Sequence, residues 1–184
     1  MGKIKLPEKV KLICGIIFNK NFFSMQEYPL EPEIKLQELF GKIDLRSKII
    51  KFDFTNYYNN EMGEYLMRYW ISFEKLLLPE EIVFIKNKTN EIEIEFSVNN
   101  KRKINIDPGY ISDAQLVLAS TKNYSHRIYL NNGIYAEVTL IYKNSKFEIL
   151  PWTYPDYKIK ISHEFFKQVR EKYFGDLRDS ITQL

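Results

Sequence analysis

From Val10 to Phe18 the chain is apolar except at Lys11 and Gly15, and it shows little alternation. A strand with one wet face turns polar at every second residue, whereas an uninterrupted apolar run reads as a strand covered on both faces. This segment therefore predicts a central strand, which needs a pairing partner on each edge and a packed layer above and below. The remaining periodic segments are candidates for those partners.

Asn19 to Pro32 is largely polar with two prolines and reads as a loop. Glu33 to Phe40, with Ile34, Leu36, Leu39 and Phe40 ahead of Gly41, predicts a short helix with a glycine stop. Ile50 to Thr55 alternates strictly and predicts a half-buried strand, and Met67 to Glu74 alternates again and predicts a third strand. Pro79, Glu80 and Glu81 suit a helix start, where the ring fits the first turn and carboxylates meet the positive end of the dipole. Ile82, Ile85, Thr89, Ile92 and Phe96 continue one helical face; Ile92, Ile94 and Phe96 also alternate, so a strand over 91–97 competes. Lys103 to Asp107 predicts a strand closed by Pro108-Gly109. Strand, helix, strand, strand, helix, strand is the order of a ferredoxin-like split β-α-β core in an α+β fold.

Beyond that core, Ser112-Asp113-Ala114-Gln115 matches a capping box and predicts a short helix after Tyr110, with Ala114, Val117 and Leu118 on one face. His126 to Leu130, Ile134 to Tyr142 and Phe147 to Trp152 predict a C-terminal antiparallel β-meander, its second turn at Asn144-Ser145. Ser162 caps a C-terminal helix that docks through Phe165, Phe166, Val169 and Tyr173. The expectation is one domain over 1–184: a core at 8–110, an extension at 111–175 and a frayed tail at 176–184.

A chain of 184 residues, 45% hydrophobic, is long enough to bury a full core. With 27 Lys plus Arg against 24 Asp plus Glu, the net charge of +3 is too small to imply nucleic acid by itself. The single cysteine, Cys14, excludes an internal disulfide and suits a buried thiol in a reducing compartment. The basic N-terminus has no apolar core ahead of a cleavage site, Leu6 breaks the myristoylation pattern, and no apolar run reaches a membrane-spanning length. These features predict a cytoplasmic protein with no membrane partner. The 13 Tyr and 13 Phe read first as packing residues and second as stacking surfaces for bases.

The segment from Ser120 to Leu140 gathers the most chemistry. With Asn131, Asn132 and Gly133 as a three-residue turn, Leu130 opposes Ile134, Ile128 opposes Ala136, and Arg127 opposes Glu137. Ile128, Leu130, Ile134, Ala136, Val138 and Leu140 then face a core, and Arg127, Tyr129, Tyr135, Glu137 and Thr139 share the other side. A two-residue Asn132-Gly133 turn would set Ile128 against Glu137. Lys122, His126 and Arg127 form a basic group suited to phosphate, Arg127 as a planar fork and Lys122 as a mobile point charge. His126, Glu137 and Asp107 are the candidate catalytic residues. Arg127, Lys122, Asp53, Tyr110 and Trp152 are the candidate ligand contacts, with Tyr57, Tyr58, Tyr154 and Tyr157 walling a pocket. Asp53, Asp107 and Glu137 on one sheet face could hold a magnesium ion through oxygen.

Each of these residues has a plainer reading: Asp107 as Asp-Pro-Gly turn chemistry, Glu137 as a cross-strand partner of Arg127, Asp53 as a solvated face, His126 as an edge residue, His163 as a surface residue and the Trp152 loop as a packed lid. No GxxxxGK, GxGxxG, HExxH, paired CxxC or GxSxG motif is present, so a purine-nucleotide switch protein is unsupported. The expectation is an enzyme or binding protein for a small phosphorylated or nucleotide-like ligand. The alternative is a noncatalytic RNA- or protein-binding module using an open sheet and the Trp152 loop.

The stretches FDFTNYYNNEMG at 52–63, NIDPGY at 105–110, LASTKNYSHRIYL at 118–130, GIYAEVTL at 133–140 and PWTYPDY at 151–157 resemble the prokaryotic domain-of-unknown-function family DUF4416. The resemblance spans nearly the whole chain. It adds Glu61 and Asp156 to the motif residues already selected and implies no particular activity.

Overall fold

In the computed structural model, which describes residues 2–23, 28 and 30–182, the chain runs through fifteen strands and α-helices. They are β1 (Val10–Asn19), α1 (Leu30–Phe40), β2 (Ile43–Arg46), β3 (Ile50–Lys51), α2 (Asn59–Met62), β4 (Leu66–Leu77), α3 (Ile82–Glu95), β5 (Ser97–Val98), β6 (Lys101–Arg102), β7 (Ile104–Ile111), β8 (Gln115–Ser120), β9 (Ile128–Asn131), β10 (Ile134–Lys143), β11 (Lys146–Ile149) and α4 (Lys160–Thr182). Among the described residues, nine strands form one antiparallel sheet in the order β11-β10-β8-β7-β1-β4-β2, with β3 on β4 and β9 on β10. β5 and β6 form a separate ribbon.

β1 is central and buried along its whole length, as its apolar run predicts. Cys14, Ile16 and Phe18 on one face pack with Leu36 and Phe40 of α1 and Ile82, Ile85 and Ile92 of α3. On the other face Ile13 packs with Trp70, Leu116, Leu118 and the α4 residues Phe165, Phe166 and Val169. Full burial of each large apolar side chain contributes about 1.5–3 kcal/mol, so these two layers hold the sheet in place. Further along the α4 face, Ile17 packs with Phe52, Met62 and Leu66. Between Ile13 and Ile17 lies Gly15, where the face carries no β1 side chain.

Lys11 is fully buried yet paired, its Nζ 2.6 Å from Asp44 Oδ2 and 2.5 Å from Asp176 Oδ2. Asp176 belongs to α4, so the predicted frayed tail is instead an ordered helix as far as Thr182; 183–184 lie outside the described residues. The predicted Asn19–Pro32 loop falls partly on 24–27 and 29, also outside them, and α1 begins earlier than predicted, at Leu30.

Several expectations are corrected. Pro108-Gly109 is not a turn: β7 continues to Ile111, with Pro108 opposite Cys14 just before β8 begins to pair at Gly109. A proline without an amide hydrogen is tolerated where no neighbouring strand accepts from it. The helix predicted after Tyr110 is strand β8, whose Leu116, Val117, Leu118 and Ala119 are all buried. Ser112 N–H donates to Gln115 O at 3.0 Å, so the capping-box residues form a tight turn between strands. A short apolar run does not distinguish helix from inner strand by period alone. The alternation over 91–97 loses to helix, which persists to Glu95. The alternation from Ile50 yields only two strand residues, after which Phe52 turns into the Ile17 cluster. Ser162 is an internal α4 residue whose hydroxyl donates to Ile159 O at 2.8 Å.

The Ser120–Leu140 hairpin resolves both turn readings. Asn131 opposes Ile134 across a two-residue turn with Asn132 and Gly133 at positive φ, and a bulge at Leu130 then restores Ile128 opposite Ala136. Its expected faces hold only in part: Ile134 and Leu140 are buried and Tyr129 is exposed as expected, but Ile128 is 71% exposed and Leu130 38%, while Glu137 and Thr139 are buried. The second turn, Asn144-Ser145, has both residues at positive φ, as its sequence predicts.

Candidate functional site

β7 and β8 pair only over Gly109–Ile111, then diverge. Gly109 permits the close contact, since a Cβ there would lie 2.3 Å from Val117 O. Past that point the free edge of β7 is satisfied by α3: Glu93 Oε1 accepts the Ile106 N–H at 2.7 Å, and Lys86 Nζ donates to Ile106 O at 2.9 Å. Lys86, Asn90 and Glu93 lie at i, i+4 and i+7, one face of the helix. The gap between the strands is a cavity of about 490 Å³, within the usual range for small-molecule sites.

Arg68 lies at the base of this cavity. From β4 it crosses over Gly15, where a Cβ would stand 2.5 Å from Nη2 and 2.7 Å from Tyr157 Oη. Its guanidinium lies over Trp70 at 4.8 Å and Tyr157 at 5.2 Å, with Nη1 3.3 Å from Asp107 Oδ2 and Nε 3.0 Å from Asp156 Oδ2. The Nε contact is an ion pair and not a hydrogen bond, because the N–H does not point at the carboxylate. Burial opposes the Arg68 charge, but Asp156, Tyr157 and Asp107 outweigh it and raise its pKa. Burial raises the pKa of Asp156, and nearby Asp107 adds to the effect against Arg68. Burial likewise raises Tyr58.

A second charged group surrounds Arg102. It donates to Glu61 through Nε at 2.6 Å and Nη2 at 2.8 Å, and Nη1 reaches Glu93 and, at 3.1 Å, Asn105 Oδ1. The Arg102 hydrogen bond holds Glu61 below the usual carboxylate range, whereas burial raises Glu93 despite Lys86 and Arg102. Asn105 is 5% exposed and lines the cavity, and its Nδ2 has no hydrogen-bond partner among the described residues.

The hairpin network forms the opposite wall. Arg127 Nε donates to Glu137 Oε2 at 2.8 Å, Nη1 to Ser120 Oγ at 2.8 Å and Lys122 O at 2.9 Å, and Nη2 to Tyr154 Oη at 2.5 Å. Four of its five N–H groups are thus engaged. Glu137 also receives His126 Nε2 at 3.0 Å and the Thr139 hydroxyl at 3.0 Å. Both carboxylate oxygens thus have protein partners, and Glu137 ties the wall together. Burial, with Glu137 adding, lifts Tyr154 to about 12.

Of the residues selected from sequence, Asp107, Glu137, Arg127 and Lys122 line one cavity, together with Tyr57, Tyr58, Tyr154 and Tyr157. His126 does not line it: the ring is stacked between Tyr124 at 6.0 Å and Trp152 at 5.1 Å. Trp152 is held there by a 2.8 Å bond from Nε1 to Val138 O. Tyr110 points to the α1/α3 face, one residue out of phase with the Asn105 and Asp107 side. Asp53 lies beyond the end of β3, 62% exposed and paired with Lys51 at 3.1 Å.

The magnesium triad of Asp53, Asp107 and Glu137 is therefore not assembled. Among the described residues no group of three or more His, Cys, Asp and Glu is arranged to hold a metal. His163 is half-buried, not superficial, and burial lowers its pKa. Cys14 is fully buried, and burial raises its thiol, which disfavours the nucleophilic thiolate. Arg68, Glu93, Arg102 and Asn105 were not selected from sequence; the available signal was an arginine in the middle of an alternating strand and a glycine in the central one.

Fold and site together define an antiparallel α+β protein with a tyrosine-walled, charge-lined cavity where its sheet splits. The chain belongs to the family described as Domain of unknown function (DUF4416), whose model matches residues 8–173. No curated protein and no solved structure matches it.

Proposed function

We propose that the cavity binds a small phosphorylated or nucleotide-like molecule and that Asp107 and Asp156, bridged by Arg68, are its proton-handling groups. The observation that carries this reading is the convergence of paired charges, tyrosines and the unpaired Asn105 amide on one cavity of about 490 Å³. Lys122 is exposed at the mouth, and among the described residues its Nζ donates to Tyr57 Oη alone, at 2.9 Å, so it has donors to spare. Asp156, whose pKa burial raises, holds its proton to higher pH than a solvated carboxyl, which suits it to act as a general acid beside Asp107.

The RNA- or protein-binding alternative has less support. Both faces of the central strands are covered, and Trp152 is committed to His126 and Val138. As part of the same proposal, β1, α1, β2, β4, α3 and β7 form a ferredoxin-like split β-α-β unit, supported by the neighbour order β7-β1-β4-β2. The setting is cytoplasmic, consistent with a buried unpaired Cys14; among the described residues no helix is long and apolar enough to cross a membrane.

A thermal-shift screen with nucleotides, sugar phosphates and divalent ions tests the proposal. A ligand at about a hundredfold its Kd adds about 2.7 kcal/mol. Stabilisation by a phosphorylated compound, lost on Asp156→Asn or Lys122→Met, is expected; no stabilisation by any of them contradicts it.

A further inference from the structure

The inner end of the cavity differs in chemistry from its mouth. Asn105 lies on β7 opposite Ile17, and Ile17 lies opposite Arg68, so the three form one row across the sheet. Ile17 packs with Phe52, Phe54 and Tyr58, which gives this end an aromatic wall. Two cations, Arg102 and Lys86, are balanced there by two carboxylates, Glu61 and Glu93. A phosphate dianion gains little from such a balanced surrounding, whereas a neutral polar edge is not repelled by it.

The orientation of the Asn105 carboxamide is settled by its neighbour. Arg102 has only donors, so the atom 3.1 Å from its Nη1 is Oδ1, and Nδ2 is left buried without an acceptor on a residue that lines the cavity. A buried N–H without an acceptor costs about 1–3 kcal/mol, which an acceptor on a ligand recovers. Asn90, one turn of α3 before Glu93, lines the same cavity and adds a second carboxamide.

We infer that the inner end of the cavity reads the neutral hydrogen-bonding edge of a planar heterocycle of nucleobase type, with Asn105 Nδ2 donating to a ring carbonyl or ring nitrogen. This rests on the reading of the cavity as a ligand site and makes the ligand a nucleoside or nucleotide, with the heterocycle stacked beside Phe52, Phe54 and Tyr58 and the phosphate toward Lys122. A site built around such a donor discriminates strongly against analogues that lack the acceptor.

The test is side-chain amide NMR of the full chain with uracil, cytosine, adenine, hypoxanthine and inorganic phosphate as separate probes. The Asn105 signals are assigned by their loss in Asn105→Asp, which keeps an acceptor for Arg102 but replaces the donor with a second acceptor. Expected are a saturable shift of the Asn105 pair with at least one heterocycle, no such shift with phosphate, and at least about tenfold weaker binding of that heterocycle by Asn105→Asp. Asn105→Ser, measured alongside, gives the same direction if the aspartate variant fails to fold.

An Asn105 signal that no heterocycle moves, as expected if only ordered water meets Nδ2, overturns the inference, as does equal binding by wild type and variants. Phosphorylated ligands that stabilise the protein while the Asn105 signals stay still overturn this inference and leave the proposed function standing. Heterocycles that bind at Asn105 where no phosphorylated compound binds do the reverse.

Discussion

Replacing Gly15 with alanine places a methyl group in the one gap through which Arg68 reaches its carboxylates. The added Cβ would stand 2.5 Å from Nη2, 2.9 Å from Cζ and 2.7 Å from Tyr157 Oη, so the guanidinium or the phenol has to move. Overpacking of this kind costs about 1–3 kcal/mol. Displacing Arg68 also weakens its pairing with Asp107 and Asp156; outright removal of a partner from a buried pair costs about 3–5 kcal/mol, and partial displacement a fraction of that. Alanine recovers about 0.4–1 kcal/mol by restricting the unfolded chain. The net expectation is a loss of about 2–4 kcal/mol, or a urea midpoint lower by about 1–2 M at an m-value near 2 kcal/mol/M.

A double-mutant cycle with Arg68→Met isolates the cause, because methionine lacks the atoms that the new methyl strikes. In that background Gly15→Ala is expected to cost at least about 1 kcal/mol less, the remainder reflecting Tyr157. Equal cost in the two backgrounds, within about 0.5 kcal/mol, would refute the idea that glycine is there to admit Arg68.

Glu137→Gln leaves Arg127 buried beside a neutral amide and is expected to lower stability by about 3–5 kcal/mol in urea at neutral pH; a loss below about 1 kcal/mol contradicts the ordering role given to this pair. Lys122→Met removes an exposed ammonium and is expected to change stability by less than about 0.5 kcal/mol while abolishing the thermal shift from phosphorylated ligands, so an unchanged shift removes Lys122 from the site. Glu61 has its pKa lowered in the fold by Arg102, so its contribution to stability is fully present above its ordinary value of 4.5 and is lost as pH falls through the lowered one. The stability difference between wild type and Glu61→Gln, followed by denaturation against pH, should accordingly be constant above that value and shrink below it; a difference that grows with acidity has the wrong sign.

The central strand was legible because burial on both faces removes alternation, a signal that survives in a single sequence. Lys11, an apparent blemish in that run, is explained only by Asp44 and Asp176, the latter 165 residues away, and no local pattern announces such a partner. The β8 error has a physical source: an inner strand four apolar residues deep and a helix face look alike when no alternation is left to read. In the site, Asp107, Lys122, Arg127 and Glu137 were found because charged residues in or beside strands are conspicuous. Their roles were less legible. Glu137 reads from sequence as a base or a cross-strand partner, yet it bonds Arg127, His126 and Thr139 together on a strand whose pairing with β8 the sequence concealed. Arg68 and Asn105 became visible only when β1, β4 and β7 were set side by side.

The most direct measurement is a backbone amide NMR titration of the labelled protein with nucleoside monophosphates. Shifts concentrated on 104–107, 118–122 and 154–157, the segments that meet where β7 and β8 part, are predicted. Shifts confined to the β9 hairpin and Trp152, or none with any of these compounds, would contradict the placing of the ligand in that gap.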